Sequence, residues 1–115
     1  TMLYNLLRIF SGGSHFIYGI LALTQPFYID EFSRFGFSDY RVLIALLQLI
    51  LGLTMLVGFS KIKLTLASSG ILASMMAGAL ITRILIKDDF IQSFPAFMYM
   101  FINSFIFIKS IKSKT

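Results

Sequence analysis

The sequence predicts an all-α protein, a four-transmembrane-helix bundle with an interfacial aromatic segment between helices 1 and 2, built as one membrane domain over residues 1–115. Three observations predict it. Only 13% of the residues are charged and 57% are hydrophobic, with a mean hydropathy of +0.86. A soluble domain carries about 25% charged residues, and one soluble core of this length could not enclose so many apolar side chains. Next, Val42 to Phe59 carries no charge between Arg41 and Lys61. At about 1.5 Å per residue it is long enough to cross the roughly 30 Å hydrocarbon core of a bilayer. Finally, apolar runs of similar length flank it, giving spans at about 2–24, 42–60, 64–86 and 90–108.

The first span, Met2 to Thr24, has one competing reading as a signal peptide, with Arg8 as its basic region and Ala22 and Thr24 near a cleavage site. Against this, Arg8 lies inside the apolar run, and Ser11-Gly-Gly-Ser-His15 interrupts what should be unbroken. A retained helix is expected, with Arg8 snorkelling toward headgroups as an anchor. Gly12 and Gly19 in this span, and Gly52 in the second, cost helix propensity but let neighbouring backbones approach. Pro26 then ends the helix, because the residue before a proline avoids the helical region.

Pro26 to Arg41 alternates aromatic and charged residues (Phe27, Tyr28, Phe32, Phe35, Phe37 and Tyr40 among them), as suits a segment lying at headgroup level. Gly36 is expected to turn the chain into the second span, which leaves through Gly58, Ser60, Lys61 and Lys63. In the third span Gly70, Ser74, Gly78 and Thr82 recur every four residues, with Ser69, Ala73 and Ala77 beside them. Such a stripe marks a helix packed closely against partners. Lys87, Asp88 and Asp89 read as a solvated turn. The fourth span carries Pro95 in its first turns and a stripe of Phe94, Phe97, Phe101 and Phe105 that reads as lipid-facing or packing surface. Lys109, Lys112 and Lys114 follow as a basic tail.

Charge sets the expected orientation. Lys61, Lys63, Lys109, Lys112 and Lys114 share one side with no acid among them. Asp30, Glu31, Asp39, Asp88 and Asp89 lie on the other, beside Arg34, Arg41 and Lys87. Because Lys and Arg collect on the cytoplasmic side, both termini are expected there, in a bacterial inner (plasma) membrane.

The pattern resembles the DoxX-like family of small four-helix membrane proteins. The resemblance rests on Arg8 and Phe16-Ile-Tyr-Gly19, on Phe35-Gly36-Phe37 before Arg41, and on Leu47-Gln48-Leu-Ile-Leu-Gly52-Leu-Thr-Met-Leu56. Met75-Met-Ala-Gly-Ala79, Arg83 and Pro95 extend it along nearly the whole chain. Two positions depart: Gln48 stands where the family often has Glu, and Ala22 where a Lys often follows the first-helix glycine. Gln can hydrogen-bond but cannot change protonation near neutral pH. The resemblance implies an accessory subunit of a membrane redox system, thiosulfate–quinone oxidoreduction being one such setting, and fold alone does not choose among these.

Each span carries a polar residue that is costly in hydrocarbon: His15, Gln48, Arg83 and Asn103. Helical rise places Gln48 and Arg83 in the outer half and His15 and Asn103 nearer the midplane. One reading is an outward-facing pocket, with Arg83 at its rim for an anionic or quinone-type headgroup, His15 donating, and Gln48 and Asn103 orienting the ligand. The other is that Gln48 and Asn103 join helices through hydrogen bonds worth about 0.6–2 kcal/mol each, while Arg83 snorkels. Quinone or lipid is the ligand class considered. One histidine, no cysteine and acids confined to loops cannot form a tetrahedral zinc-type site. No Ser-His-Asp constellation, P-loop or dinucleotide fingerprint occurs, so no catalytic residue is assigned and an independent enzyme is not expected. The net charge of +5 has no soluble groove to present to nucleic acid. The leading expectation is a non-catalytic accessory subunit of a larger membrane assembly, redox- or quinone-linked, with the bilayer and other membrane subunits as partners. The alternative is a binder or carrier of a small hydrophobic ligand.

Overall fold

A computed structural model describes residues 2–57 and 61–114. In chain order the elements are α1 (Met2–Thr24), α2 (Pro26–Phe35), a 3₁₀ turn (Ser38–Tyr40), α3 (Arg41–Val57), α4 (Ile62–Leu85) and α5 (Phe90–Lys114). Among the described residues, four stretches are long and apolar enough to cross a bilayer: Met2–Thr24, Ser38–Val57, Ile62–Leu85 and Phe90–Lys112. The all-α four-helix architecture is therefore the one the composition predicts. The turn expected through Gly58 and Ser60 lies outside the described residues, as does the end of the second span.

Two helices run past the expected spans. α4 begins at Ile62 rather than Leu64. α5 does not stop at Ile108 but continues through the lysines read as a tail. Lys and Ser do not break a helix, and Ile111 continues the apolar pattern beyond Ile108.

The interfacial segment is itself largely a helix. Pro26 opens α2, where its missing N–H costs nothing, and Gly36 at φ 83° closes it. There the Gly36 N–H donates to the Ser33 carbonyl (3.0 Å) and the Phe37 N–H to that of Phe32 (2.9 Å). Phe32 alone is buried deeply, against Ala22 and Ala45, while Phe27 faces outward. Arg41 donates to the Ala22 carbonyl at 2.7 Å, capping the C-terminus of α1 from the first residue of α3. At the start of α5, Asp89 accepts from the Gln92 N–H (2.8 Å) and Gln92 from the Asp89 N–H (3.4 Å). That reciprocal pair satisfies donors which the helix start would leave unbonded.

The four long helices pair as α1 with α3 and α4 with α5, with lesser contact between the pairs. Between α1 and α3 the glycines remove side chains altogether. A Cβ on Gly52 would lie 2.6 Å from the Gly12 carbonyl oxygen and 2.6 Å from the Phe16 nitrogen, and one on Gly19 would lie 2.7 Å from the Ala45 oxygen. The backbones touch there. α1 is also inside out relative to a helix in water: Leu3, Leu6, Ile9, Ile17 and Ile20 are exposed, while Tyr4, Arg8, Ser11 and His15 are buried. In lipid the polar side chains need the interior more than the apolar ones do. This overturns the snorkelling expected of Arg8, which is 3% exposed and donates to the Met55 carbonyl at 3.3 Å.

Candidate functional site

Gly12 and Gly52 lie about one turn from His15 and Gln48, so the backbone contact they permit brings those two side chains together. His15 Nδ1 and Gln48 Oε1 are 2.5 Å apart. On the other ring nitrogen, the Asn103 amide donates to His15 Nε2 at 3.1 Å, and Asn103 Oδ1 accepts from the Ser11 hydroxyl at 2.5 Å. An amide nitrogen can only donate and the Gln48 oxygen can only accept, so the geometry fits a neutral imidazole with its proton on Nδ1. The result is a directional chain, Ser11 to Asn103 to His15 to Gln48, uniting α1, α3 and α5. All four residues are buried.

Around it, the Tyr99 ring tilts against His15 with centroids 5.1 Å apart and stacks on Phe10 at 5.7 Å. Further along α1, the Tyr4 hydroxyl meets Ser110 Oγ at 2.7 Å, and the Arg8 guanidinium lies over the Tyr4 ring at 5.5 Å. Tyr4, Arg8, Ser11 and His15 follow a spacing of four, three and four residues, one face of a helix.

Of the residues read as a pocket, the structure unites His15, Gln48 and Asn103 at one level and separates Arg83 from them. Gln48 therefore does not lie outward of the other two, and the polar atoms face one another. Arg83 instead belongs to a cluster at the opposite end of the bundle from Lys61, Lys63, Lys109 and Lys112. Its Nη1 is 2.7 Å from Asp88 and 4.0 Å from Glu31. Arg34 forks onto both carboxylates, at 2.8 Å to Glu31 and 2.6 Å to Asp88. The Phe35 ring lies beneath both guanidiniums, at 5.1 Å from that of Arg34 and 4.9 Å from that of Arg83. Two arginines and two carboxylates leave this cluster without net charge. Asp88, read as part of a solvated turn, has a side chain only 5% exposed. Hydrogen bonds from Arg34 hold both the Asp88 and Glu31 carboxyls below their ordinary values, and the same bonds push the Arg34 guanidinium upward.

The small-residue positions divide. Gly12, Gly19 and Gly52 serve the α1–α3 contact, and Gly70 lies against the Phe107 ring, 2.9 Å from where its Cβ would be. Ser74 is exposed, and a Cβ on Gly78 would meet nothing within 4 Å. Of the phenylalanine stripe read as lipid-facing or packing surface, Phe94, Phe97 and Phe101 face outward and Phe105 is half-buried. Ser11, Arg8 and Tyr4 were missed as interior groups, although their helical spacing with His15 was present to be read. The partners of Arg83 carried no such signal, since Glu31 and Asp88 sit in separate connections.

Compared with protein-family models, with curated proteins and with solved structures, the chain matches none.

Proposed function

We propose that the chain is a non-catalytic subunit of a larger membrane assembly, joined to it through the outer face of α4. One observation carries this reading: Ala67, Ile71, Ser74, Gly78, Ile81 and Leu85 alternate at spacings of four and three residues, and all six are exposed. That is the repeat of a helix–helix seam, with small residues at half its positions to admit a neighbouring backbone. The interior supports it from the other side. The polar residues that could have served a ligand are bonded to each other across three helices, and Arg83 has its charge balanced by carboxylates. The resemblance to DoxX-like proteins adds a redox- or quinone-linked setting to the proposal, and the excess of lysine at one end supports a cytoplasmic position for that end in a bacterial inner membrane.

The test is extraction from the native membrane in a mild detergent, followed by native mass measurement and identification of co-purifying chains. Gly78→Leu should release the companions while the isolated protein keeps its thermal stability, because the new side chain projects into open space. A lone chain from wild-type membranes, or companions that Gly78→Leu leaves in place, would count against the assembly.

A further inference from the structure

The first half of the α4 seam forms one side of an open groove of about 760 Å³, lined by Ala67, Ile71 and Ser74 of the seam together with Lys63, Gly70, Met75 and Phe107 among others. Its construction follows from the sequence. Residues 63, 66, 70 and 74 descend one face of α4 turn by turn. At Gly70 the missing Cβ lets the Phe107 ring rest against bare backbone, so ring and backbone form the floor together. The Ser74 hydroxyl is engaged by the Gly70 carbonyl at 3.0 Å. The lining is thus effectively apolar along its length and has one charge, Lys63, in the first turn of α4.

We propose that this groove holds one acyl chain of an anionic phospholipid, with the lipid phosphate at Lys63. Length and charge both fit. From Lys63 to Met75 the helix rises about 18 Å, close to the about 15 Å that one leaflet contributes to the hydrocarbon core. A lipid has this form: a charge at the surface and an apolar chain reaching toward the midplane. The charge argument is independent of shape. Lys61, Lys63, Lys109 and Lys112 lie at this end of the bundle, and every Asp and Glu lies in the connections at the other. An anionic headgroup is favoured here over a zwitterionic one.

This goes beyond the assembly reading: the lipid covers Ala67, Ile71 and Ser74 and leaves Gly78, Ile81 and Leu85 to a neighbouring helix, and lipid uptake by the purified chain is tested apart from release of companions by Gly78→Leu. The experiment is a lipid titration of the purified full chain in mild detergent, read by native mass spectrometry, with dioleoyl phosphatidylglycerol against dioleoyl phosphatidylcholine. One phosphatidylglycerol per chain should bind in preference. Lys63→Gln should weaken it about fivefold, the effect of one lysine near an anionic headgroup, and abolish the preference. Ala67→Phe, which fills the groove from an exposed position, should weaken both lipids. Lys109→Gln, a control for diffuse surface charge, and Gly78→Leu, a control for the seam, should leave the titration unchanged. Equal uptake of the two lipids, a Lys109→Gln loss as large as that of Lys63→Gln, or uptake untouched by Ala67→Phe would overturn the proposal. So would a dimer that excludes lipid from the groove, since a second copy would then be its occupant.

Discussion

The contact between α1 and α3 and the outer face of α4 share a vocabulary of small residues and use it in opposite ways. At Gly12, Gly19 and Gly52 the absent side chain is occupied space, filled by the backbone of the facing helix. At Gly78 it is open space. The first region has spent its small residues on holding this chain together, and with them it sets His15 against Gln48. In the second, a Cβ at Gly78 would meet no atom of the described residues. A glycine in a membrane helix therefore says that close approach is permitted; which chain approaches is decided by what lies opposite.

The largest effect that tests this contrast is a matched pair of alanine substitutions. In Gly52→Ala the new Cβ would sit 2.6 Å from two backbone atoms, the Gly12 oxygen and the Phe16 nitrogen, neither of which can rotate away. The helices must separate, and overpacking of this kind costs about 1–3 kcal/mol, toward the upper end where backbone is the obstacle. Gly78→Ala meets no atom and gains helix propensity, so it should be neutral or stabilising by up to about 1 kcal/mol. Reversible unfolding in mixed micelles measures both. Equal stabilities for the two variants would abolish the distinction between the regions.

A smaller effect probes what the α1–α3 contact positions. Gln48→Leu leaves the His15 Nδ1–H facing a methyl group inside the bundle. A buried donor left without its partner costs about 1–3 kcal/mol, and membrane interiors give the lower part of that range. The diagnostic outcome is non-additivity. Gln48→Leu and Asn103→Leu act on opposite nitrogens of one ring, so their combined loss should fall short of the sum of the single losses. Strict additivity would mean that the four side chains do not act as one chain.

The fold was legible because lipid imposes a coarse rule: long charge-free runs become helices, and Val42 to Phe59 obeys it openly. The site was legible only in part. His15, Gln48 and Asn103 stood out as polar groups in apolar spans, and they do meet. Arg8 was misjudged because a basic residue near a helix start can either reach for headgroups or turn inward. The decision rests on what surrounds it, here the Tyr4 ring and the Met55 carbonyl. Ser11 bonds to Asn103 across 92 residues, a pairing that helical period cannot encode. Gly12 and Gly78 look alike in the sequence for the same reason.

Acid should separate the two sides of the molecule more gently. The α1–α3 contact is made by backbone, which does not titrate near neutral pH, whereas α2 is tied to Arg83 of α4 and to Asp88 after it by Glu31 and Arg34. Both carboxyls are held below their ordinary values, chiefly by Arg34, so in the folded protein they stay ionised to lower pH than in the unfolded chain. Their contribution is complete above the unfolded values of about 4.3 for Glu and 3.9 for Asp, and it is lost as pH falls through the depressed folded values. As pH falls through those depressed values, then, the cluster should open, with Phe35 losing its two guanidiniums. Amide hydrogen exchange along the chain distinguishes the two. Exchange should rise across residues 26–35 on acidification, after correction for the intrinsic pH dependence, and remain slow around Gly12 and Gly52. Arg34→Gln should produce the same rise at neutral pH. Unchanged protection of α2 in acid and in Arg34→Gln would mean that burial of Phe32 against Ala22 and Ala45, rather than charge, keeps the segment in place.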